Sequence, residues 1–213
     1  MHKLDAIAET IRQSFDAENA ARERALEQAR RLTRACALAI RAVHREDVEE
    51  AHQILTEART LSATLTADLQ PFPALYYSGY TQDALKEFTE AEVVFALVFD
   101  RALPTPEDLH VEPATYLKGL SEAVGELRRR CLDILRGGYS PEVERLLTYM
   151  DDIFAVLVTM DYPDAITQGL RRLTDITRSL IERTRGDLTI NLRQQHLENA
   201  LQRLEQRLRE IDR

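Results

Sequence analysis

The sequence predicts an all-α, single-domain bundle of about seven helices, and three observations carry that prediction. Alanine, leucine, arginine and glutamate dominate a 213-residue chain that has only seven glycines and no tryptophan. These dominant side chains lose little rotamer freedom in a helix. Apolar residues recur at spacings of three and four throughout, and no segment alternates as a strand does. The connections are short, and with 44% hydrophobic content the chain can bury one substantial core.

Taken in order, Leu4, Ile7, Ile11 and Phe15, then Ala29, Leu32, Cys36, Ile40 and Val43, keep helical spacing. Asp47 is the expected N-cap of the next helix, which carries Val48, Ala51, Ile54, Leu55, Ala58, Leu61 and Leu65 until Pro71 and Pro73 break it. The segment from Tyr76 to Phe99 follows. Pro113 opens a helix through Tyr116, Leu120, Val124, Leu127, Cys131 and Leu135, closed by Gly137 and Gly138. Ser140 and Pro141 start another that reaches Met160, and Pro163 opens one that Gly186 is expected to end. From Ile190 onward, Leu197, Leu201, Leu204, Leu208 and Ile211 follow a nearly strict four-three repeat, a coiled-coil seam. The expected division is a helical domain over 1–190 and a heptad helix over 191–213 continuous with it.

The charged first residues lack the apolar core of a signal peptide. The longest apolar run, Val93 to Phe99, is about a third of the ~20 residues a bilayer span needs. The expectation is a soluble, cytoplasmic protein with no membrane partner. Cys36 and Cys131 fall in line with apolar neighbours and read as reduced core thiols. No HxxxH pair suggests zinc. A net charge of −8 argues against nucleic acid on average, although a basic stripe or a bound cation reverses the sign locally.

Two acidic pairs stand out. On the 76–99 helix, Leu85, Phe88, Phe95 and Phe99 mark one apolar stripe, and Glu87 and Glu90 lie more than about 100° from it. Their own face also carries Tyr76, Tyr80, Val94 and Val98, with Asp83 as a third acid. A helix apolar on both sides is buried, and buried carboxylates are costly unless paired or bound to metal. Glu122 and Glu126 repeat the arrangement opposite Leu117, Leu120, Val124 and Leu127, with Gly119 on their face, where a neighbour can come close. Two adjacent helices each offering two carboxylates suit a hard cation such as Mg²⁺ or Mn²⁺; the same pattern also fits two solvated acidic faces.

At these residues the chain is similar to the translin family, and more to its translin-associated factor X branch than to translin itself. "KEFTEA" (86–91) resembles the family's Glu-aromatic-x-Glu-Ala motif, and "YLKGLSEAVGELRRRCL" (116–132) its segment ending in Gly-Glu-Leu. "ARRLTR" and "AVHR" near the start and "RGDLTI" (185–190) are shorter echoes. The resemblance implies a divalent-metal-dependent endoribonuclease acting on single-stranded RNA, with Glu87, Glu90, Glu122 and Glu126 as the catalytic, metal-binding acids. The branch usually has aspartate where this chain has Glu122. It also implies a hollow homo-oligomer, often of eight subunits, holding nucleic acid inside. Arg30, Arg34, Arg41 and Arg45 lie within about 60° of one another on one helix face, a stripe roughly 22 Å long that could follow an RNA backbone or simply face solvent. "ELRRRC" (126–131) points its three arginines in different directions.

Three other readings compete. A di-iron bundle needs two Glu-x-x-His motifs plus two further carboxylates on separate helices; Glu49 with His52 forms one on a helix, and the same spacing at Glu107 and His110 directly follows the Pro104 and Pro106 loop. An all-α nucleotide pyrophosphohydrolase uses Glu-x-x-Glu followed by Glu-x-x-Asp, whereas here the second pair is spaced by four and Arg129 takes the Asp position. The third is a non-catalytic translin-like oligomer that binds single-stranded RNA or DNA without cutting it.

Overall fold

The computed structural model describes residues 2–211, with side chains from 3 to 210. Among the described residues there are nine α-helices and no strand: α1 (His2–His44), α2 (Val48–Leu69), α3 (Pro73–Tyr76), α4 (Gly79–Val98), α5 (Pro106–Leu109), α6 (Pro113–Leu135), α7 (Pro141–Val158), α8 (Asp164–Thr167) and α9 (Leu170–Ile211). The all-α class is as the sequence predicts. Three of the nine, α3, α5 and α8, are four-residue turns after or at prolines, too short to leave a periodic signature. The chain divides into two compact units, one through Gly119 and one from Leu120, and α6 runs unbroken past the boundary.

In the first unit α1, α2 and α4 pack together. Asp47 caps α2 as expected, its carboxylate accepting from the Glu50 backbone N–H at 3.0 Å. Leu32, Cys36 and Val43 of α1, Leu55 and Leu65 of α2, and Leu85, Phe88 and Val93 of α4 are sealed from solvent. From Thr81 to Val98, only Asp83, Lys86 and Glu87 of α4 are not fully buried. A helix apolar on two faces has found neighbours for both.

In the second unit α7 packs against α9, burying Leu146, Met150, Leu170, Ile181 and Leu188. Ser140 caps α7, accepting from the Glu142 N–H at 3.2 Å. One expectation fails here: Gly186 ends nothing, because α9 passes through it for 42 residues. A mid-helix glycine costs about 1 kcal/mol. Leu188 and Ile181 on either side are buried, and Arg185 forks onto Asp151 at 2.8 and 2.9 Å, so packing outweighs that local cost. Residues 191–211 are therefore the last five to six turns of one long helix.

Candidate metal and nucleic-acid site

The site is built on α4 and on the N-terminal half of α6. Gly119 sits where a side chain could not: a Cβ there would lie 2.6 Å from Cβ and Cγ2 of Thr89 and 3.0 Å from the Lys86 carbonyl oxygen. The backbone of α6 thus approaches α4 closely. Thr115 donates to the Gln82 side-chain oxygen at 2.6 Å, and Tyr116 to the Pro104 carbonyl at 2.6 Å, holding the start of α6 in place. Glu122 lies on the next turn of α6 after Gly119, on the same face.

That register brings three of the four predicted acids together. Glu87, Glu90 and Glu122 each offer one carboxylate oxygen, and these lie within 4.8 Å of one another. Glu90 is buried at 8% exposure, while Glu87 and Glu122 are half-buried. Lys86 Nζ stands 3.4 Å from Glu87. Glu126, one turn further along α6, is half-buried and lies 3.7 Å from the Arg129 guanidinium.

The donor set fits a small hard cation. Octahedral Mg²⁺ takes oxygens at about 2.0–2.1 Å, which sets ligand oxygens roughly 3–4 Å apart, and it ordinarily keeps several waters. Three carboxylate oxygens at the observed spacing need only a small contraction to reach that geometry, and their partial exposure leaves room for water. An acidic cluster able to bind a metal is therefore present.

One feature of α4 escaped the sequence reading. Glu92, only 3% exposed, is gripped by Arg59 of α2 through two hydrogen bonds of 2.7 Å each. This fork holds the Arg59 guanidinium above its ordinary range and fixes Glu92 as a structural acid. No local signal pairs residues 33 apart. Cys36 of α1 is buried, and its thiol is pushed well above its usual range, first by burial and then by the negative fields of Glu87, Glu92 and Glu90. Burial pushes Cys131 up to about 12, with Glu142 adding to it. Both thiols are buried and unbridged, as predicted.

The arginine stripe is exposed along its length on α1. Arg45 is ion-paired with Glu50, whereas Arg30, Arg34 and Arg41 have no acidic partner among the described residues. Of the "RRR" run, Arg128 is tied to Asp187 at 2.9 Å and to Thr184 at 3.0 Å, and buried Arg130 to Glu142 at 3.1 Å. Only Arg129 is exposed. No described helix is long and apolar enough to cross a membrane.

No family profile matches the chain. It is 32% identical over 190 residues to the uncharacterized protein MJ0175 of Methanocaldococcus jannaschii, a match covering 88% of this chain and 84% of that one. Among solved structures it resembles AfC3PO in complex with duplex RNA, with a TM-score of 0.81 and 33% identity over 86% of this chain and 95% of the other. AfC3PO alone gives 0.80 and 32%, covering 86% and 96%. Apo-NeC3PO, at 18% identity, a TM-score of 0.79 and coverage of 86% and 96%, shares the fold. C3PO structures are those of translin and its associated factor X, and identity above 30% across nearly the whole of AfC3PO decides the matter: this chain belongs to the translin family.

Proposed function

We propose that this protein is a divalent-metal-dependent endoribonuclease of the translin-associated factor X branch, working as a homo-oligomer on single-stranded RNA. The convergence of Glu87, Glu90 and Glu122 is the observation that carries the reading. A phosphodiester is already anionic, so bare carboxylates would repel it. A bound Mg²⁺ or Mn²⁺ would reverse the local field, polarise the phosphate and activate water. Glu90 and Glu122 would hold the ion with Glu87, and Glu126 would close the set from the next turn of α6. Arg30, Arg34, Arg41 and Arg45 would hold the RNA backbone, which positions a scissile phosphate without contributing to its cleavage.

A non-catalytic RNA-binding oligomer is the second reading, and specific contacts favour it. Lys86 beside Glu87 and Arg129 beside Glu126 offset acidic charge with no metal at all. Labelled RNA incubated with Mg²⁺, then with EDTA, separates the two, using wild type, Glu90→Gln and Glu126→Ala. Because AfC3PO is known with duplex RNA, the assay carries a single strand and a duplex side by side. The nuclease reading expects EDTA to abolish cleavage and both variants to lose it by orders of magnitude while still binding RNA. RNA binding without cleavage by wild type in Mg²⁺ would leave the binding-only oligomer as the better account, and cleavage that survives EDTA, or wild-type rates in Glu126→Ala and Glu90→Gln, would remove the metal-nuclease reading.

A further inference from the structure

The C-terminal half of α9 presents an apolar seam to which its own chain supplies no partner among the described residues. Ile190 is 61% exposed, Leu197 62%, Leu201 50%, Leu204 52% and Leu208 52%. The opposite side of the same helix is the docked one. Leu188 is buried, Asn191 donates to the Leu135 carbonyl at 3.2 Å, and Gln195 reaches to Gly138. At 100° per residue these three lie roughly 100–160° from the seam. The seam cannot fold back on its own unit without tearing that contact away.

The heptad register can be assigned, because the four-three steps make Ile190, Leu197 and Leu204 d positions and Gln194, Leu201 and Leu208 a positions. The flanking charges then sort by sign. The g positions are Arg193, Ala200 and Arg207, and the e positions include Glu198 and Glu205. None of these four charged side chains has an ion pair within the chain among the described residues. In a parallel coiled coil a g residue faces the e′ residue five places on, so Arg193 meets Glu198 of the other strand. In an antiparallel one g faces g′ and e faces e′, setting arginine against arginine and glutamate against glutamate. The single polar a residue, Gln194, penalises slipped registers that would bury it against leucine.

We infer that the segment from Ile190 to Leu208 is a parallel, in-register coiled-coil interface whose partner is the same segment of a second copy of this chain. The inference shares with the proposed function only the expectation of a homo-oligomer, and it stands on the seam and its flanking charges, not on the acids of α4 and α6. Three heptads are near the lower limit for such a helix in isolation, so the docked root of α9 supplies the nucleus the tail extends from.

Single cysteines introduced into the full-length protein test direction and register. In a parallel in-register pair every d position faces its own copy, so Leu197→Cys and Leu204→Cys should each cross-link to a dimer under mild oxidation. Wild type, with both native thiols buried, should not. An antiparallel pair can bring at most one position onto itself. Cross-linking of only one variant, or only of a Leu197→Cys and Leu204→Cys mixture to each other, overturns the proposal, as does no cross-linking at all. Arg193→Glu in the Leu204→Cys background should reduce dimer formation by about tenfold, two attractive pairs becoming repulsive, and adding Glu198→Arg should restore it. EDTA-sensitive RNA cleavage, measured on the same variants, reports on the nuclease reading separately, so either can fail while the other stands.

Discussion

A methyl group at position 119 would have nowhere to go. Thr89 cannot turn aside, because its hydroxyl donates to the Leu85 carbonyl at 2.9 Å and the residue is fully buried, and the Lys86 oxygen on the other side is backbone. Overpacking of this kind costs about 1–3 kcal/mol, against a helix-propensity gain of about 1 kcal/mol. Gly119→Ala is therefore expected to lower unfolding stability by about 1–2 kcal/mol. Gly186 also lies mid-helix, but nothing stands within 4 Å of its would-be Cβ. There the propensity term acts alone, and Gly186→Ala should raise stability by up to about 1 kcal/mol. Denaturant midpoints of the two variants check the pair, and equal signs would refute the packing argument.

At the scale of helices, legibility followed the range of the forces. The caps at Asp47 and Ser140 were readable because a cap is closed within three residues. The burial of α4 was readable because its acids interrupt an otherwise apolar cylinder. The meeting of Glu87 and Glu90 with Glu122 could be anticipated from Gly119, the one small residue on the acidic face of α6. The Arg59–Glu92 fork and the passage of α9 through Gly186 could not, since both depend on contacts made between distant segments. Nor did spacing reveal that α1 is one helix of 43 residues whose first apolar positions, Leu4, Ile7, Ile11 and Phe15, are exposed. The α1 arginines form an element-scale prediction. Reversing Arg34 and Arg41 to glutamate should weaken RNA binding and flatten its salt dependence, by roughly 0.7 in log–log slope per lost phosphate contact on a single strand. An unchanged slope in a filter-binding titration would assign the stripe to solvent.

For the whole molecule, a net charge of −8 is carried by a protein proposed to hold a polyanion. Arg128 and Arg130 are tied to Asp187 and Glu142, whereas Arg30, Arg34 and Arg41 of α1 have no acidic partner among the described residues. In the proposed homo-oligomer that stripe would be repeated once in every copy. We expect light scattering to give a mass several times that of one chain, with a monomer refuting the homo-oligomer. Ending the chain after Ile190 should shrink the assembly, because it removes the segment we propose as an extension of a domain over 1–190. If the mass is unchanged, the tails do not hold copies together.

Cys36 gives the acidic cluster an internal witness. Its sulfur is shut away from solvent and takes no part in the proposed chemistry, yet it lies in the combined field of Glu87, Glu90 and Glu92. Glu92 is paired with Arg59, so a cation bound at the acidic cluster would act on the share of that field that comes from Glu87 and Glu90. Whatever positive charge settles between those two carboxylates is felt at the thiol as a fall in local negative potential, even though the thiol never touches it. The fold has thus set a probe of the cluster's charge behind its wall, on a helix whose outer face carries the arginines.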